Sequence, residues 1–221
     1  MPRRRSSRVA LGCFVTVAVV DLVAEFFGWQ PIALVCRILL MPLLAWCCWS
    51  AAVRRTRLVI LVLIALGFSW LGDLSAPVLI KISFFLIAQI LYIVAFRPYW
   101  RRSVIARPPV LIVYGIALAA LIGVVTAAAG PLAVPVAVYG TSLAVMAVVA
   151  TGVGRLTGIG GALFLISDIV LAVELFVAPG VIPYALFVNM ALYLPAQLMI
   201  TLGVLERVSS EVEPLVADPV A

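Results

Sequence analysis

The sequence predicts an all-α polytopic membrane protein with about eight transmembrane helices and both termini in the cytoplasm. Three observations carry that prediction. Hydrophobic residues make up 66% of the 221, and mean hydropathy is +1.29. Charged residues make up 11%, against about 25% in a soluble domain. The basic residues also gather at alternate breaks between apolar runs, the pattern that positive-inside orientation produces.

Taken in order, the runs read as follows. Each is close to the roughly 20 apolar residues a span needs. Arg3, Arg4, Arg5 and Arg8 precede a first span at 9–27, which stops at Gly28-Trp29-Gln30-Pro31. This start resembles a signal peptide, but no convincing small-x-small cleavage site follows, and Asp21 and Glu25 continue the segment. A retained first helix is therefore expected. The second span, 32–52, ends at Arg54, Arg55 and Arg57. Spans at 58–74 and 82–96 meet somewhere between Ser75 and Ser83, where Lys81 interrupts the run. Arg97, Arg101, Arg102 and Arg107 follow. From Pro108 to Gly154 there is no charge, and Gly130-Pro131 divides this stretch into spans at 109–129 and 131–151. Arg155 leads into 158–178, and Ala178-Pro179-Gly180 turns the chain into 182–204.

With eight spans, 13 of the 15 Lys/Arg residues fall on the cytoplasmic side, the exceptions being Arg37 and Lys81. The expected organisation is one transmembrane domain, 1–205, and a short disordered cytoplasmic tail, 206–221. The basic clusters are short and lie at membrane edges, so they are topogenic and no nucleic-acid partner is expected. Cys13, Cys36, Cys47 and Cys48 lie in apolar runs without metal-type spacing, and packing is their expected role. The chain has no His. This removes Ser-His and Cys-His arrangements and leaves carboxylates, hydroxyls and amides to do any chemistry. No metal or other cofactor is expected.

Charge at bilayer depth is costly and points to function. Asp73 closes Gly67-Phe68-Ser69-Trp70-Leu71-Gly72-Asp73, and Asp168 closes Leu163-Phe164-Leu165-Ile166-Ser167-Asp168. Two such phrases imply one shared site, with one carboxyl acting as acid and the other as base. Asp21 and Arg37 each stand eight residues from Trp29, at similar depth in an antiparallel pair. An ion pair between them is one reading of Arg37; a substrate role, holding a phosphate with its two-pronged fork, is the other. Asn189, Tyr193 and Gln197 recur at four-residue spacing on one face, Gln89 and Tyr92 share another, and Ser69 lies one turn from Asp73. These polar groups either bond helices together or line a site that orients a polar headgroup. Matching phrases in spans three and seven and in spans four and eight (Ala88-Gln89, Ala196-Gln197) hint at a parallel four-plus-four repeat with its site at the interface.

Together these phrases resemble the YhhN-like lysoplasmalogenase family. The residues that carry the resemblance are Gly67-Phe68-Ser69-x-x-Gly72-Asp73 and Phe84-x-x-x-x-Gln89-x-x-Tyr92-x-x-x-Phe96. Tyr139, Met146, Gly161-Ala162-x-Phe164-x-x-Ser167-Asp168 and Ala196-Gln197-x-x-Ile200 continue the set. The family often has His where this chain has Gln89, and Lys-Pro where it has Arg37-Ile38. The resemblance implies an ether hydrolase that cleaves the vinyl ether of lysoplasmalogens. The products would be a fatty aldehyde and a glycerophospho-base, and Asp73 and Asp168 would be central. The partners it implies are a lysophospholipid and bilayer lipid, in a bacterial plasma membrane. The chemistry agrees with the residues: protonation of a vinyl ether passes through an oxocarbenium ion, which paired carboxylates serve in glycosidases. The same acidic residues would also suit a proton-coupled transporter or flippase, and a non-catalytic scaffold is a third reading.

Overall fold

The computed structural model describes residues 2–104 and 108–217. Those residues form eight α-helices joined by short connections: α1 (Pro2–Phe27), α2 (Gln30–Ala51), α3 (Arg57–Leu74), α4 (Val78–Phe96), α5 (Pro108–Ala128), α6 (Ala133–Val153), α7 (Arg155–Ala172) and α8 (Ala185–Ala217). Seven of them are long and apolar enough to cross a membrane. The eighth, α5, includes the apolar segment Leu118–Ala128. The chain is an all-α, polytopic membrane protein. The α2–α3, α4–α5 and α6–α7 connections and their flanks carry Arg54, Arg55, Arg97, Arg101, Arg102 and Arg155, whereas the α1–α2, α3–α4, α5–α6 and α7–α8 connections carry no Lys or Arg. Arg107 lies outside the described residues.

The turns use the chemistry their residues dictate. Gly28 adopts φ 72° between α1 and α2, a conformation that costs glycine nothing. Thr56 caps α3 by accepting a hydrogen bond from Val59 N–H at 3.4 Å. The end of α7 widens into a π-turn, Val173–Val177. Glu174 in that turn accepts from the backbone N–H groups of Gly180 (2.7 Å) and Ile182 (3.3 Å), so it holds the α7–α8 connection.

The main core joins seven helices, with Phe14, Leu40, Leu44, Leu66, Tyr92, Phe96, Met146, Phe164 and Ile200 among its buried side chains. α7 approaches α8 closely because Gly160 has no side chain. A Cβ there would stand 2.8 Å from the Ala196 carbonyl and from the Ile200 nitrogen. Small residues serve helix pairs in lipid in this way. α5 stays outside that core. Its inner end joins Ala129 and Val136 in a separate small cluster against the π-turn. Exposed Val19, Phe27, Leu34, Val35, Ile116 and Val134 face outward, as a lipid-facing surface requires.

One expectation is overturned. The polar segment after Glu206 was expected to be a disordered tail; α8 instead continues to Ala217. Arg207 bonds Glu211 at 2.9 Å, one turn along, and Tyr99 donates to the same carboxylate at 3.1 Å. An i,i+4 ion pair and a contact to the neighbouring short helix, Arg97–Arg102, carry the helix past the apolar run. Residues 218–221 lie outside the described set.

Candidate functional site

Asp73 and Asp168 come from separate helices and line one chamber of about 280 Å³. Its walls are the end of α3, the first turns of α4, the first turns of α6, the end of α7 with its π-turn, and the start of α8. Asp73 is one residue from the end of α3, whereas Asp168 is nine residues before the end of the π-turn. Asp73 therefore enters the chamber from the last turn of its helix and Asp168 from well inside the α7 segment. Gly72, beside Asp73, makes room for Phe85, whose ring would lie 2.7 Å from any Cβ there. Phe85 then packs edge-on against Tyr193 (5.9 Å) and Phe164 (6.3 Å), forming an aromatic floor.

Each aspartate receives a tyrosine hydroxyl. Tyr193 donates to Asp73 Oδ2 at 3.0 Å. Tyr139, on α6, donates to Asp168 Oδ2. Behind Tyr193 the donors run in one direction: Tyr92 to Gln197 Oε1 at 2.7 Å, Gln197 Nε2 to Tyr193 at 3.3 Å, and Gln197 Nε2 also to Ser69 at 3.1 Å. This string fixes the tyrosine as donor and Asp73 as acceptor. On the other side Asn189 Nδ2 donates to the Ser167 carbonyl at 2.8 Å, which ties α8 to α7 just beside Asp168. The string ends inside the protein. Tyr92 is fully buried and stacks on Phe96 at 5.7 Å.

Of the residues singled out from the sequence, Asp73, Asp168, Asn189 and Tyr193 line the chamber. Ser69, Tyr92 and Gln197 form the hydrogen-bonded string behind it. Gln89 is fully buried next to Tyr139, and its amide makes no well-aligned hydrogen bond among the described residues. Arg37 is not in the chamber wall. Nor does it pair with Asp21, the ion-pair partner expected from equal depth: its guanidinium binds Glu25. The reason is directional. Side chains tilt toward the N-terminus of their own helix, so a long arginine near the start of α2 reaches toward the α1–α2 turn, where Glu25 sits.

Two residues outside the candidate set also matter. Tyr139 was visible only as part of a phrase, with no sign of which carboxylate it serves. Lys81, which interrupts an apolar run, lines the chamber within electrostatic reach of Asp73.

A small pocket of about 60 Å³ shares Tyr139 and Asp168 with the chamber. It in turn shares Leu118 and Ile122 with an apolar groove of about 840 Å³ between α5 and α6. The three cavities thus lie side by side along α6, with Tyr139 and Asp168 between the chamber and the small pocket.

The YhhN family profile matches residues 32–204. The chain belongs to the YhhN family. No curated protein and no solved structure matches it. The stretch matched to the YhhN family contains both aspartates, both tyrosines and every wall of the chamber, but excludes Asp21 and Glu25 on α1.

Proposed function

We propose that this YhhN-family protein hydrolyses the vinyl ether bond of lysoplasmalogens. The observation that carries the reading is the pair of aspartates, each held by a tyrosine hydroxyl, in one chamber. The chamber is close in size to the smallest ligand pockets, at roughly 300 Å³, and suits a glycerol backbone with its phosphate. The alkenyl chain would leave past Asp168 through the groove between α5 and α6.

That orientation divides the roles. The carbon that takes the proton lies one bond farther along the chain than the carbon that takes water. Asp168, at the chain side, donates its proton to that outer carbon, and the electrons of the double bond form the new C–H bond. The resulting oxocarbenium ion is stabilised by the facing carboxylate of Asp73. Water then adds to the carbon bonded to the ether oxygen and gives its proton to Asp73. Asp73 returns a proton to the departing glycerol oxygen as the hemiacetal collapses, and the hemiacetal hydroxyl proton restores Asp168. One water is consumed, and one aldehyde and one glycerophospho-base are released.

A proton-coupled transporter would use the same acids but needs a route to the other face. The donor string ending at Tyr92 against Phe96 favours a closed reaction site. Purified protein in detergent, given a 1-O-alkenyl lysophospholipid in D₂O, should release an aldehyde with one deuterium on the carbon next to the carbonyl. No aldehyde in detergent, with gradient-driven lipid movement in sealed vesicles, would replace hydrolysis with transport.

A further inference from the structure

Arg37, the basic residue the sequence offered for a substrate phosphate, is committed to Glu25. A second cation is better placed. Lys81 stands in the first turn of α4, half-buried, in the wall of the chamber. Among the described residues its ammonium has no salt-bridge partner. The surroundings also favour an anion. Ala76, Val78 and Lys81 line the wall where α4 begins, and Pro77, at the N-cap, supplies no side-chain acceptor to the free N–H groups of that turn. An uncapped helix start carries partial positive charge and unused donors, and both attract phosphate. Lys81 supplies a full charge beside them.

We propose that Lys81 and the first turn of α4 form a phosphate subsite for the lysophospholipid headgroup. The inference rests on the hydrolase reading for the identity of the lipid. In a lysolipid the phosphate and the ether oxygen are separated only by the glycerol carbons. Anchoring the phosphate at Lys81, near Asp73, places the vinyl ether between the two carboxylates and sends the chain toward Asp168 and the groove. The arrangement therefore selects a phosphorylated glycerol ether over a bare alkenylglycerol, and a single-chain lipid over one whose second chain would have to share the chamber.

The test uses the full chain in detergent and a saturated 1-O-alkyl lysophosphoethanolamine, which binds without reacting. Lys81→Gln should weaken its binding about tenfold, the effect of losing one charge-assisted contact of about 1.4 kcal/mol. Binding of 1-O-alkylglycerol, which lacks the phosphate, should not change. Lys81→Arg should recover binding to within about threefold of the native chain. With a vinyl ether substrate, Lys81→Gln should raise KM and leave kcat nearly as it was. Inorganic phosphate should compete only at concentrations far above the lysolipid's. Equal weakening for both ether lipids, or no weakening for either, would overturn the subsite. Competition by inorganic phosphate as strong as the lysolipid's would overturn its assignment to a lipid headgroup. Because the saturated lipid needs no turnover, failure of hydrolysis and failure of this subsite would be seen separately.

Discussion

The bundle holds two pairs of acids at the same end, Asp73 and Asp168 half-buried and Asp21 and Glu25 buried, and they differ in what surrounds them. Asp73 and Asp168 face a cavity and accept hydrogen bonds from neutral tyrosines. Asp21 and Glu25 share one face of α1 against α2. Glu25 binds Arg37, and neither oxygen of the fully buried Asp21 has a hydrogen-bond partner among the described residues. Charge and depth alone do not separate these pairs. Space for a substrate and fixed neutral donors do. An ion pair neutralises its carboxylate and occupies the place a substrate would take, whereas a tyrosine orients a carboxylate and leaves the other oxygen available.

The largest expected effect is at the chamber. Asp168→Asn and Asp73→Asn should each lower aldehyde release by about a thousandfold, roughly 4 kcal/mol of transition-state stabilisation, with little change in thermal stability. A stable variant with more than a tenth of native activity would remove that aspartate from the reaction. The next effect belongs to the other pair and appears in stability. Arg37→Met strands Glu25 in the α1–α2 seam and should cost about 3 kcal/mol, read as a lower unfolding temperature in detergent, whereas Arg37→Met with Glu25→Gln should recover most of it. An unchanged temperature in the single variant would show that the pair is decorative.

Tyr139→Phe and Tyr193→Phe come third. Each removes one oriented donor, and a loss of about tenfold in kcat is expected, close to the net worth of a hydrogen bond to a charged group. Effects below twofold would mean that the tyrosines only pack. Smallest is Asp21→Asn. Replacing a buried carboxyl that has no partner should leave activity within about twofold and stability equal or slightly higher. A large activity loss there would erase the contrast between the two pairs.

Much of this contrast was legible in the sequence, and what was not has physical causes. Apolar length, turn residues and basic breaks marked the helices because lipid enforces all three. Asp73 and Asp168 stood out because few charges survive at that depth. The partner of Arg37 did not, since equal depth along two helices ignores the tilt of each side chain toward its own N-terminus. The helical end of α8 was hidden because hydropathy stops at Leu205, while the Arg207–Glu211 pair and its contact with Tyr99 depend on a neighbour distant in sequence. Lys81 read as an interruption of a span. It became a chamber residue only because α3, α4, α6, α7 and α8 meet around one cavity, a relation between helices that no single segment encodes. Tyr139 pairs with Asp168 across 29 positions, beyond any local pattern.

The account rests on Asp73 and Asp168 acting together on one bound lysolipid. The direct measurement is aldehyde release by Asp73→Asn, Asp168→Asn and the double variant, with correct folding checked for each. Groups that act as a unit are strongly non-additive, so the double variant should be no slower than the slower single variant. Losses that multiply in the double variant would mean that the two carboxyls work independently, and the shared chamber would lose its role.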